Sequence, residues 1–345
     1  MYLPGKDSGG YVSIVFEPGD LPRVQLQFLR RTETLRPTFG SISDNSRTPL
    51  LTRRSFLSGV AVAALTSRLS AQVKPKRIVS TAPSITEALF ALGLGDQVVG
   101  VSRFCDFPAS VQKLPKVGTY LAPDAEAIAR LVPDLVVLQR ISSELTERLH
   151  ALHINFIEVP HGTLNDVYTG ITLISKAADV PGRPVVLNDR IKHDLTAIQL
   201  RAKQMTSPRV LLIVNRRPGM LADITAIGPD NYLQELLEIS GGTNVLAKPG
   251  LPMYPRISLE TVLRDDPDVI LDLSGQQESE AERQAASVQV LALWRQESQL
   301  TAVRKGRVIV GTSNALLVPG PRAPEGAQLL FEYLHTPQND KGRVS

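Results

Sequence analysis

From Lys76 onward, short β-branched runs alternate with segments of helical period. Arg77-Ile78-Val79-Ser80, Val98 to Val101, Leu135 to Leu138 and Phe156 to Val159 read as strands. Between them, Ser84 to Leu92, Asp124 to Leu131, Ser143 to Leu152 and Leu164 to Ala178 read as helices. Ser84, with Glu87 three residues later, predicts a capping box at the first of these helices. Strands alternating with helices predict a mostly parallel sheet with helices on both faces.

Val180-Pro181-Gly182-Arg183-Pro184 interrupts the series. Beyond it, residues 184–205 carry an apolar stripe of Leu187, Ile191, Leu195, Ile198 and Met205 among charges. One helix of roughly 33 Å follows from that length, enough to bridge two lobes. A second α/β series opens at Pro208 with the strand Arg209 to Val214. It closes with the strand Arg307 to Val310 and a helix near Glu325 to Leu334. This second series repeats the first at an offset of 134 residues: Tyr120, Asp124, Glu126, Pro133 and Asp134 are matched by Tyr254, Ser258, Glu260, Pro267 and Asp268. A repeat of that length is a domain-scale duplication. The predicted fold is α/β, with two similar Rossmann-like lobes at 76–180 and 207–336, mostly parallel sheets, a single long helix at 184–205 joining them, and a cleft between.

Charge changes the picture only at the front. The pI of about 9.2 suggests nucleic acid. However, residues 1–72 hold nine basic and five acidic residues, leaving 29 of each in the rest. A neutral remainder removes nucleic acid as a partner. Within the front segment, Thr52-Arg53-Arg54-Ser55-Phe56-Leu57-Ser58, the apolar run Gly59 to Leu65 and Ser70-Ala71-Gln72 predict a secretion signal over 52–71. The run is far shorter than the roughly 20 apolar residues of a spanning helix. Arg53 and Arg54, followed by Phe-Leu, resemble a twin-arginine signal. Residues 1–51 show no sustained period and read as a mis-assigned start or an extended N-terminus. The single cysteine, Cys105, excludes an intramolecular disulfide and offers no lipid-attachment site at a mature N-terminus. The expectation is a periplasmic monomer.

Enzyme signatures are missing. Leu92-Gly93-Leu94-Gly95-Asp96 lacks the third glycine of a dinucleotide fingerprint, and neither a phosphate loop nor a Gly-x-Ser-x-Gly elbow occurs. The five histidines form no metal signature.

Phe104, Phe107, Tyr120 and Tyr254 fall in predicted loops at strand ends. Such aromatics either pack their loops or offer rigid faces with polar tips to a large amphipathic ligand. Tyr120 and Tyr254 lead into the same helix of each repeat and would face one another. Arg103, Arg140, Arg216, Arg217, Arg256 and Arg322 also lie near loops. They are either solvated charges or, where two or three converge, partners for phosphate or carboxylate, with Arg103, Arg256 and Arg322 the candidate ligand contacts. Glu126 and Glu260, taken singly, complement the dipoles of their helices. Their symmetric placement marks them as a pair.

Arg77-Ile78-Val79-Ser80 with Pro83 to Glu87, the Phe104-Cys105-Asp106-Phe107-Pro108 loop, Val117-Gly118-Thr119-Tyr120, Glu126 to Leu138 and Pro319-Gly320-Pro321-Arg322 together resemble the cobalamin and iron-siderophore binding proteins of ABC importers. The resemblance covers residues 76 to about 334. It implies a binding protein without catalytic residues, metal site or cofactor of its own. The Asp-aromatic-Pro loop and the aromatic positions incline the ligand toward a corrinoid, with a ferric siderophore or haem as the alternative. It also implies that Glu126 and Glu260 meet arginines on the two permease subunits, where paired charges steer and orient docking. A secreted two-lobed α/β enzyme is the competing class.

Overall fold

The computed structural model describes residues 74–140, 143–274 and 280–336. Residues 1–51 and the expected signal, with Arg53 and Arg54, lie outside them. The first sheet consists of β1 (Ile78–Ser80), β2 (Val98–Val101), β3 (Leu135–Gln139) and β4 (Phe156–Val159), ordered β2-β1-β3-β4 and parallel throughout. Its helices are α1 (Pro83–Ala91), α2 (Ala125–Arg130), α3 (Ser143–Ala151) and α4 (Leu164–Ala177). Leu135 to Leu138 are all buried, as expected where helices cover both faces of a parallel sheet.

The second sheet contains β5 (Arg209–Asn215), β6 (Ile224–Ala226), β7 (Thr243–Asn244), β8 (Arg256–Ile257), β9 (Val269–Asp272) and β10 (Val308–Val310). The parallel path β7-β5-β9-β10 reproduces the order of the first sheet. On the edge shared with β7, β6 pairs antiparallel with the end of β5, and β8 pairs antiparallel with β6. These two strands depart from the expected symmetry of the lobes.

The duplication extends to backbone detail. Arg77 donates from its guanidinium to Leu131 O and Val132 O, while Asp134 accepts from the Lys76 and Arg77 amides. Arg209 donates likewise to Asp265 O and Asp266 O, and Asp268 accepts from the Arg209 amide. Val132 and Asp266, 134 residues apart, both take positive φ, at 46° and 35°. Each arginine thus satisfies carbonyls at the end of a short helix that the helix itself leaves unpaired.

The connector, α5 (Arg183–Ala202), stops short of 205. Its buried stripe is Ile191, Leu195, Ile198 and Ala202, and Met205 lies beyond the last turn, 45% exposed. The helix packs on α4 and also on α6 (Tyr232–Ile239) and α11 (Ala323–His335). One core cluster consequently runs from Ile78 and Leu89 through Ile191 and Leu195 to Leu236 and Leu330. Because the sheets share buried surface, movement of one against the other would open packed apolar contacts.

The predicted serine cap fails. The N-cap of α1 is Ala82, with Pro83 in the first turn and no side-chain bond. Proline fits there because its missing N–H would go unpaired anyway. Glu87 is therefore free for another role.

Candidate functional site

Phe104, Phe107 and Tyr120 lie in the loop at the carboxyl end of the parallel strand β2, where ligands of open α/β sheets bind. After β2, the amide of Arg103 donates to Gly118 O (2.8 Å), and the amide of Asp124 donates to Val117 O (3.0 Å). Gly118 has φ 89°, and a Cβ there would come within 2.6 Å of Ala122 O. Only glycine allows the turn that presents Tyr120. Its ring meets Phe104 edge to face, with centroids 5.9 Å apart. Both rings, with Phe107, remain 40 to 50% exposed.

In the second lobe Tyr254 is held by its neighbours. Met253 O accepts from the Gly228 amide and from Asn231 Nδ2, and Pro255 O accepts from the Ala226 amide. A Cβ on Gly228 would lie 2.1 Å from Pro252 O, so glycine is what lets this segment close in. Tyr254 is 47% exposed, yet its phenol is pushed above the ordinary range, first by burial and then by the Tyr120 phenol. Tyr120 and Tyr254 thus occupy equivalent, exposed turns of the two lobes.

Glu126 and Glu260 sit in the first turns of α2 and α7 (Leu259–Asp265), exposed and without an ion pair among the described residues. Asp124 caps α2 through the amides of Glu126 and Ala127. Ser258 makes no such cap; its hydroxyl instead bonds the Glu260 carboxyl and holds it below the usual carboxylate range.

Arg322 departs from the expectation of a ligand contact. Its guanidinium is 14% exposed, binds Glu87 at 2.5 Å across the lobe boundary and stacks 4.1 Å above the Phe107 ring. Burial raises the Glu87 pKa, against the lowering influence of Arg322. The Tyr232 hydroxyl, Glu87 Oε2 and Arg322 Nε are buried there without hydrogen-bond partners among the described residues. Further bonds cross the same boundary, from the Tyr232 amide to Gly162 O (2.6 Å), from the Leu164 amide to Glu235 Oε2 (2.6 Å) and from Asn314 to Asp106. Glu87 and Glu235 were not anticipated as interlobe residues. For Glu87 the available signal was a glutamate flanked by the apolar residues Ile85, Ala88 and Leu89.

Arg103 and Arg256 are exposed. Beside Arg256, the second lobe holds a cavity of about 510 Å³, lined also by Arg216, Arg217 and Thr225. Among the described residues no group of His, Cys, Asp or Glu could hold a metal ion, and no helix is long and apolar enough to cross a membrane. Cys105 is buried against Thr86, and burial pushes its thiol up to about 11.

Residues 78–315 match the profile of the periplasmic binding proteins. A vitamin B12-binding protein of Vibrio parahaemolyticus is 28% identical over 250 residues, covering 72% of this chain and 85% of that one. A substrate-binding lipoprotein of an ABC transporter, YvrC of Bacillus subtilis, is 29% identical over 270 residues, covering 76% and 81%. Among solved structures, the apo form of the periplasmic heme-binding protein RhuT of Roseiflexus sp. RS-1 superposes with a TM-score of 0.67 at 26% identity, covering 76% of this chain and 99% of that one.

Proposed function

The chain belongs to the periplasmic binding protein family, and from that premise we propose that it captures a corrinoid between its lobes and delivers it to an ABC importer. The observation that carries this reading is that the equivalent turns of the two lobes each present an exposed tyrosine, Tyr120, backed edge-on by Phe104, and Tyr254. Two rigid faces with hydroxyl tips suit a broad, flat ligand with a polar periphery. Binding relatives whose names specify vitamin B12 support the ligand class.

Function here is capture and handover without bond chemistry. The shared core and the Glu87–Arg322 pair favour a cleft that closes little. Glu126 and Glu260 stand exposed at equivalent positions and serve as the docking pair for the permease. Export runs through the Arg53-Arg54 signal.

The test is an absorbance and calorimetric titration of the mature protein against cyanocobalamin, cobinamide, haem and ferric siderophores. Submicromolar corrinoid binding is expected. Tyr120→Ala or Tyr254→Ala should weaken it by about 1–3 kcal/mol. Tight binding of haem or a siderophore with no corrinoid binding would move the assignment to that ligand.

A further inference from the structure

Among the described residues, the cavity in the second lobe has an unbalanced charge. Arg216, at its floor, is buried and neutralised by Asp272 (3.0 Å), which also accepts from Trp294 Nε1 (2.9 Å). Arg217, at the rim, is matched by Asp223 (2.5 Å). Arg256 has no ion pair among the described residues. It projects from β8, two residues beyond Tyr254 and opposite Thr225 of β6. Among the described residues the cavity therefore carries one uncompensated cation, two residues along the chain from Tyr254.

Hydrogen bonds tie one wall. Arg216 Nη1 donates to Arg217 O (3.3 Å) and Met220 O (3.1 Å), fixing the turn around Gly219, whose φ is 73°. Thr225 and Gln289 contribute neutral polar groups, and Val290 and Leu293 an apolar side. A volume of about 510 Å³ is ample for a small organic substituent. One cation, neutral donors and an apolar wall together suit a monoanion attached to an apolar group.

We propose that this cavity is an anion subsite that receives the phosphodiester-bearing arm of the corrinoid while the ring lies against the tyrosines. The assignment rests on the corrinoid reading above. Arg256 makes a charge-assisted bond to the phosphate, and the apolar side accepts the heterocycle at the end of the arm. The subsite distinguishes complete corrinoids from those lacking the arm.

The experiment compares cobalamin, which has the phosphate arm, with cobinamide, which lacks it. Calorimetry on wild type, Arg256→Ala, Arg256→Lys and the exposed-site variant Gln289→Glu gives the affinities. Arg256→Ala should weaken cobalamin about tenfold or more and cobinamide by less than about twofold. Gln289→Glu, which sets a negative charge against the phosphate, should act in the same direction, and Arg256→Lys should retain part of the preference. Equal losses for both ligands, or no loss for cobalamin, would overturn the subsite. If the wild type binds neither corrinoid, the corrinoid reading fails, and the subsite is judged on haem against its dimethyl ester. The same split between charged and neutral ligand is then expected. Equal losses for that pair, or binding of none of the four ligands, would overturn the subsite too.

Discussion

The two lobes share a frame and differ in what they hang from it. Four strands follow the same parallel order in each, and each has an arginine that closes the end of a short helix. At the cleft each lobe keeps its tyrosine, and the rest differs. The first lobe presents the rings of Phe104, Phe107 and Tyr120. The second, widened by β6 and β8, presents Tyr254 beside the arginine-lined cavity. The frame is set by backbone hydrogen bonds and burial, which tolerate little change, whereas loops at strand ends vary freely. A duplicated scaffold can in this way offer a stacking wall on one side and a polar one on the other.

The largest expected effect concerns the feature that both lobes keep. Replacing Glu126 and Glu260 together by Ala should abolish stimulation of the transporter ATPase in reconstituted vesicles while leaving ligand affinity unchanged. Truncating one member of a desolvated charge pair costs about 2–5 kcal/mol, and a rim pair less than about 1 kcal/mol. The single variants therefore report how buried each contact becomes. Normal docking by the double variant, or an equal loss of ligand affinity, would remove the pair from the interface.

A smaller effect probes the bridge between the lobes. Burial, partly offset by Arg322, holds the Glu87 pKa above its ordinary 4.5. Below about 4.5 both folded and unfolded chains carry the proton. From there up to the raised value only the folded chain does, so stability falls as pH rises through that interval. Glu87→Gln should flatten this dependence and gain on the wild type above the interval, read as urea midpoints across the pH series. Parallel curves for the two proteins would show that Glu87 is not the titrating group.

The smallest effect contrasts equivalent residues. Val132 holds φ 46° with a β-branched side chain, a strained combination that glycine relieves. Val132→Gly should stabilise the protein by about 0.5–1 kcal/mol. Asp266 occupies the matching position, but its carboxylate accepts both the amide and the hydroxyl of Thr301 at 2.7 Å. Asp266→Gly should therefore destabilise by about 1 kcal/mol. Denaturation midpoints of the same sign would contradict this difference between the lobes.

Much of the frame was legible in local pattern. The strands Val98–Val101 and Phe156–Val159 fall where the apolar runs predict them. The duplication could be read from Tyr120 and Tyr254, because proline, helix caps and buried strands impose short-range rules on residue type. The cap at Ser84 misled, since Pro83 claimed the first turn and Glu87 was already committed to Arg322, 235 residues away.

Sequence alone determined the family, the α/β series, the linking helix and the neighbourhood of the aromatic residues, since each depends on periodicity or on residues close in the chain. Tertiary structure decided which charges are spent and which are free. Nothing near Arg216, Arg256 or Arg322 in the chain reveals that Asp272 neutralises the first, Glu87 the last, and no described residue the one between. Pairing over such separations is settled only when the fold brings the charges within a few ångströms in a medium that screens them poorly.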